Sequence, residues 1–302
     1  MRLAYWKKYE RILKRFTPKR VYNMVLEFAK KLGEPYNKKS KYGRKPKVAP
    51  KVYAAYIVYK IITSNATFRE MEFESKMYTN VHLDHSTLVV NFEKIPVKYF
   101  LDLVEETGAY LDRLLEYSDQ YVTDSSAVTT SLKFETENKG KIVEEKIEFR
   151  SHVIASLHPK DNCVCIRKAL STTKFIADCE ATKRMLDAGK IKDITLHGDR
   201  GYDYERVYES CYENNIKPNI RPLDYQGPIN YKAKEGSDRL VGITEYDDEA
   251  RKKHRGIIET IFGGLTNFGL MITRLKKEAK ILAYSAIILL RHNILNIARN
   301  MN

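Results

Sequence analysis

DQYVTDSSAVT, residues 119–129, is where the hydrophobic pattern changes period, and its reading decides the fold. Upstream, apolar residues recur at helical spacing; here the pattern becomes that of a β-strand. Val122 and Asp124 leave such a strand on the same side, so an acid stands where a core residue could have been. The bland alternative is a turn or capping aspartate, since Ser125 and Ser126 follow. Downstream, residues 143–157 alternate with Ile147, Phe149, Val153, Ala155 and Leu157 on one side. HPKDN then turns the chain, with Asp161 as a hairpin residue, into a strand over 162–170. A helix is expected from Asp178 to Ala188, closing on Gly189, and a short strand through Ile194 and Leu196 leads to Gly198 and Asp199. A helix over 203–214 and a strand over 216–221 follow. Strands alternating with helices predict an α/β domain.

Two further acids stand out. Asp199 lies in LHGDRGYD, at the end of a strand between glycines; it could merely cap the next helix, although Asp203 is better placed for that duty. Glu259 lies in RGIIETIFGG, one helical turn after Arg255, on a helix that Ile257, Ile258, Ile261 and Phe262 mark as packed. A surface Arg–Glu pair is the plain reading there. Three carboxylates so far apart in sequence make chemical sense if a fold gathers them in one pocket, where divalent cations relieve their repulsion.

Upstream of residue 119 the chain reads as helical. Thr17 and Pro18 open a helix that ends near Gly33, after a first helical piece in residues 1–16. From Val52 to Glu93 three short helices are expected, the middle one opened by the capping box Thr67–Glu70 and the third capped by Asp84 or Ser86. They suit a helix-turn-helix or a purely structural bundle equally well. Pro96 starts a longer helix to about Tyr117. Between the first helix and these three lies YNKKSKYGRKPKVAPK, residues 36–51, which is free of acids. Its Lys38, Lys39, Lys41, Arg44, Lys45 and Lys47 read as a phosphate-contacting arm, with a solvated linker as the alternative.

The 302 residues hold 53 Lys+Arg against 39 Asp+Glu, a formal charge of +14, which favours a polyanionic partner. Cys163, Cys165, Cys179 and Cys211 show no disulfide framework and read as buried thiols in a reducing compartment. The N-terminus lacks a signal-peptide core, and the longest apolar run, Ile281–Leu290, is too short to cross a bilayer. A cytoplasmic, nucleoid-associated protein without a membrane partner is expected. His82 and His85 are three apart, but no third ligand is apparent, so capping or core roles are expected for them. Residues 222–247 read as a long loop or insertion, and a last apolar helix over 279–299 is expected to pack against the sheet.

TFREMEFESKMY (67–78) with DHSTLVVNFEKI (84–95), STTKFIADC (171–179), HGDRGYD (197–203) and RGIIETIFGGL (255–265) come in the order found in insertion-sequence transposases of the DDE class, which this chain resembles over roughly residues 50–297. The resemblance implies a ribonuclease H-like α/β catalytic domain, 119–302, with a mixed sheet and flanking helices, preceded by an all-α DNA-binding region, 1–118, with a basic linker at 33–51. It implies the triad Asp124, Asp199 and Glu259 as catalytic metal ligands and two Mg²⁺ (or Mn²⁺) ions per site, with Arg200 and Arg255 joining the basic arm on DNA. It also implies cleavage at terminal inverted repeats and strand transfer into target DNA by a homodimer on paired ends. Asp178, an N-cap by its position, gains by resemblance a supporting role beside the triad. The family's third motif carries a Tyr and a Lys where this chain has Lys252 and Thr266; Lys276 or Lys277 could substitute. A nuclease that cuts without joining and a DNA-binding derivative without catalysis are the competing readings.

Overall fold

The computed structural model describes residues 17–37, 46–138, 141–161, 163–173, 176–223, 234–268, 272–273, 275 and 277–301; the side chains of 129–148, Arg255, Thr260 and 272–273 fall outside that description. The chain divides into two compact units, 1–114 with 277–302, and 115–276.

The first unit is helical. Helix α1, Pro18–Leu32, starts with proline in its first turn, where a missing N–H costs nothing, and ends at Gly33, whose φ of 87° lets its N–H reach the Ala29 and Lys30 carbonyls. Helix α2, Pro50–Ser64, is buried from Tyr53 to Ile62 and is the axis of the unit. Helix α3, Phe68–Thr79, opens with the expected capping box: the Thr67 N–H donates to Glu70 at 2.6 Å and the Glu70 N–H to the Thr67 hydroxyl at 3.3 Å. Helix α4, His85–Lys94, follows Asp84 at the N-cap position, but the Asp84 side chain makes no capping bond; Lys47 takes it instead. Helix α5, Val97–Leu114, buries Phe100, Leu103, Val104, Thr107 and Leu111 along one stripe.

The second unit holds a six-stranded sheet. Strands β1, Gln120–Asn138, and β2, Lys141–His158, pair antiparallel along their length, so the hairpin runs well past the expected end at Thr129. Strand β3, Cys163–Thr173, pairs antiparallel with β2. Helix α6, Asp178–Asp187, leads to β4, Ile194–Gly198, which lies parallel to β1. Helix α7, Glu205–Glu213, leads to β5, Ile216–Ile220, parallel to β4. The order across the sheet is β3-β2-β1-β4-β5. The core under it gathers Tyr121, Ile154, Leu196, Val207, Tyr208 and Ile220, and all four cysteines are buried free thiols.

Part of the 222–247 insertion is ordered as helix α8, Asp238–Thr244, capped by Ser237 and packed on α7 and β5. Gly242 makes that approach possible, because a Cβ there would come within 2.3 Å of the Tyr208 ring. Helix α9, Asp248–Phe268, packs against β1 and β4, and the two-residue β6, Ile272–Thr273, adds parallel to β1 at Thr129.

The last helix, α10, Glu278–Asn300, corrects the sequence expectation. It packs in the helical unit, on α5 and α2, rather than on the sheet. Its buried polar groups find their partners there: Asn293 donates to the Val104 carbonyl at 3.1 Å, Arg291 to the Ile62 carbonyl at 2.9 Å, and Tyr284 to Asn65 at 2.8 Å. At 23 residues it is long and apolar enough to span a bilayer, but 78% of its most apolar stretch is buried in the protein, as befits a core helix. The boundary expected at residue 118 accordingly falls at 114, and the carboxyl end returns to the amino-terminal unit.

Candidate active site

The parallel pairing of β1 with β4 matches Gln120 with Thr195, Tyr121 with Leu196 and Val122 with His197. Asp124 and Asp199 each lie two residues beyond this last pair, Asp124 still on β1 and Asp199 past the end of β4. Asp199 is the first residue beyond β4 and caps the short 3₁₀ turn Arg200–Tyr202, accepting the Arg200 N–H at 2.8 Å. Its neighbour Gly198 serves close packing, since a Cβ there would meet Ile220 at 3.3 Å. Asp124 is half-buried and accepts the Ser125 N–H at 2.8 Å. Glu259 sits on α9, the helix packed on these two strands; Ile258, Ile261, Phe262 and Leu265 are buried there, while Glu259 itself is exposed. Among the described residues, the acidic triad is not one of the groups whose donor atoms all lie within 4.8 Å of one another. Ligands divided between two cations can be spaced more widely than those around one.

Asp178 is not an N-cap. Ala177 holds that position, and Asp178 is the first residue of α6. Its carboxylate takes Arg150 Nη1 at 2.9 and 3.0 Å and the Ser125 hydroxyl at 2.9 Å, with His152 Nδ1 at 3.4 Å. Through Ser125, Asp178 is tied to the residue next to Asp124. His152 is buried, and burial brings its pKa down to about 4; the Arg150 charge pushes the same way and Asp178 opposes. The imidazole is therefore neutral at pH 7, and Arg150 supplies the charge that Asp178 needs. Tyr202 is buried in the same place, its phenol raised well above the ordinary value by burial first and by the Asp124 and Asp178 charges next.

Asp203, expected to cap α7, also has another duty. It is buried in a pair with Arg239 at 2.6 and 2.7 Å and accepts from the Tyr208 hydroxyl and the Leu223 N–H, so it fastens the insertion to α7. Tyr204 is the N-cap of that helix.

The family described as Transposase DDE domain matches residues 124–294, more than half of the chain, and the match begins on Asp124. The chain belongs to the DDE transposases. No curated protein matches it. This family generally works with divalent metal ions on DNA. The three carboxylates expected as donors are hard oxygen ligands, a chemistry that fits Mg²⁺ or Mn²⁺.

Of the basic residues expected on DNA, Lys38, Lys39, Lys41, Arg44 and Lys45 lie outside the described residues. Lys47 is engaged within the protein, by the Asp84 carboxylate at 2.9 Å and the His82 carbonyl at 3.1 Å. Arg200 is exposed beside Asp199. Arg255 stands on α9 one turn before Glu259, with its side chain outside the description. Lys276 is likewise outside it, and Lys277 pairs with Glu93 at 2.8 Å. Sequence reasoning missed Arg150, His152 and Tyr202. The available signal was the run Arg150–His152, two ionisable residues in the stretch of β2 that also carries the apolar Phe149, Val153, Ala155 and Leu157.

Proposed function

We propose that this chain cuts DNA at the ends of its insertion sequence and joins the freed 3′ ends to target DNA, using Asp124, Asp199 and Glu259 in a ribonuclease H-like domain. The observation that supports the reading is the parallel pairing of β1 with β4: Asp124 and Asp199 each follow its last pair by two residues, and the helix bearing the third acid packs on both strands. The sheet order β3-β2-β1-β4-β5, with a three-stranded antiparallel meander and two parallel additions, supports the domain assignment.

Asp124, Asp199 and Glu259 would hold the cations, Mg²⁺ or Mn²⁺, two per site. Bound there, they would activate water or a DNA 3′-hydroxyl and stabilise the leaving 3′-oxygen. The chain's own groups prepare the site. Arg150 balances Asp178, so that carboxylate does not add uncompensated charge beside Asp124. Tyr202, buried within reach of the Asp124 and Asp178 charges, stays protonated and adds no further charge there. Ser125 links Asp178 to the backbone that carries Asp124. The net charge of +14 draws DNA, and Arg200 stands beside Asp199 where a phosphate would pass. Two copies on paired ends are the assembly proposed.

Purified protein given a pre-cleaved end with a free 3′-hydroxyl, a target plasmid and Mg²⁺ should yield strand-transfer products. Cleavage without joining would replace this reading by the nuclease, and DNA binding with no metal-dependent chemistry would replace it by the binding protein.

A further inference from the structure

The helical unit carries a second set of donors, built around the connection Asn80–Asp84 between α3 and α4. Glu72 comes from α3, His82 and Asp84 from the connection, and His85 from the first turn of α4. The Glu72, His82 and Asp84 donor atoms all lie within 4.8 Å of one another. Glu72 Oε1 is 3.4 Å from His82 Nε2, and Asp84 Oδ1 is 3.5 Å from the same nitrogen. Around a tetrahedral ion with ligand bonds of about 2.0–2.2 Å, neighbouring donors stand about 3.3–3.6 Å apart, and both measured edges fall within that span.

Each carboxylate also divides its two oxygens in a way that ion pairing with His82 alone does not require. Glu72 presents Oε1 to His82, while Oε2 is held by the His85 ring nitrogen at 2.7 Å and the His85 backbone N–H at 3.1 Å. Asp84 presents Oδ1, while Oδ2 is held by Lys47 at 2.9 Å. The connection itself is braced: the Leu83 N–H donates to the Ser75 hydroxyl at 2.9 Å, and the Thr79 hydroxyl donates to the Val81 carbonyl at 2.8 Å.

The geometry points to a mononuclear site for a divalent transition cation of the zinc class, with Glu72, His82 and Asp84 as ligands, His85 and Lys47 as positioning residues, and water in the fourth position. An imidazole nitrogen with two carboxylates suits Zn²⁺ and its neighbours, whereas Mg²⁺ prefers the all-oxygen triad. His82 is 55% exposed in its side chain, so an ion can enter from solvent. Sequence spacing gave His82 and His85 capping or core roles because no third ligand was in view; Glu72, ten residues upstream on another helix, and Asp84 supply the missing donors. Such an ion would clasp α3 to α4 and stabilise the unit through binding.

The test uses the full-length, tag-free chain carrying Asp124→Asn and Asp199→Asn, so that the acidic triad cannot account for binding. Titrated against a chromophoric zinc chelator, it should take up one Zn²⁺ per chain, undisturbed by millimolar Mg²⁺, and Co²⁺ in its place should give the intense visible bands of tetrahedral coordination. Adding His82→Ala should abolish uptake; Asp84→Asn serves as the second variant should His82→Ala disturb the circular dichroism. His85→Ala, which keeps all three ligands, should weaken binding by about 10–100-fold. Failure of the parent chain to bind Zn²⁺, or equal affinity in His82→Ala and Asp84→Asn, would overturn the proposal.

Discussion

In the helical unit the buried polar groups answer one another across helices, whereas in the α/β unit several ionisable groups gather around Asp178, beside Ser125 of β1. Tyr56 donates to the Met71 carbonyl at 2.5 Å, Tyr59 to Tyr78 at 2.8 Å, and Lys60 to Glu74 at 2.9 Å, each closing one helix on another. In the second unit Asp178 meets Arg150, His152 and Ser125, the neighbour of Asp124; the Asp178–Arg150 pair is partly open to solvent, while His152 and Tyr202 are buried. The difference teaches how to sort charged residues by duty. Asp203 and Arg239, 0% and 8% exposed in their side chains, form a closed pair and hold the framework; Asp178 and Arg150, 23% and 38% exposed, stand next to the acids of the site.

The most damaging framework change should be Asp203→Ala. It strands the buried Arg239 charge and leaves the Tyr208 hydroxyl and the Leu223 N–H without their acceptor, which should cost about 3–5 kcal/mol in urea unfolding. A loss below about 1 kcal/mol would break the distinction between closed and open pairs.

Acid should separate the units next. His152 and His197 are buried and neutral, both with pKa near 4 against an ordinary 6.5, and burial is the first cause in each. Their contribution is complete above about pH 6.5 and disappears as pH falls toward 4, on the order of a few kcal/mol in all. In the helical unit, Glu93 is held at about 2 by Lys277 and Lys280, so that contact survives to lower pH. Hydrogen exchange at pH 5 should show protection falling in 149–158 and 194–198 while 53–62 stays protected. Parallel loss in both would remove the contrast.

Smaller effects sharpen it. Thr67→Ala removes the cap of α3 and should lower the stability of the helical unit by about 1 kcal/mol. Arg150→Ala should change stability by less than about 1 kcal/mol, because the pair is partly exposed, yet reduce strand transfer at least about tenfold through its hold on Asp178. Unchanged joining would make that pair ordinary surface structure.

Much of this was legible in local sequence. Caps such as Thr17, Thr67 and Gly33 act within a turn of themselves, and alternation from Phe149 to Leu157 marks a strand wherever it packs. The acids of the candidate site stand out locally, Asp124 and Glu259 by interrupting apolar patterns and Asp199 by its place between glycines at a strand end. What escaped depends on distant partners: Asp178 and Asp203 both look like caps until Arg150 and Arg239 arrive from 28 and 36 residues away. The home of α10 escaped for the same reason. An apolar helix can pack on a sheet or on helices, and the choice rests on which surface answers Asn293 and Arg291.

The central claim is that Asp124, Asp199 and Glu259 act as one metal site for DNA joining. The direct measurement is strand transfer of a pre-cleaved end in Mg²⁺ by wild type, Asp124→Asn, Asp199→Asn and Glu259→Gln, with DNA affinity measured on the same preparations. Each single substitution should lower joining by at least about a thousandfold, in line with the removal of a key stabilising group from a transition state, while affinity stays at or slightly above wild type. Retention of joining in any one of the three would contradict the claim and remove that residue from the site.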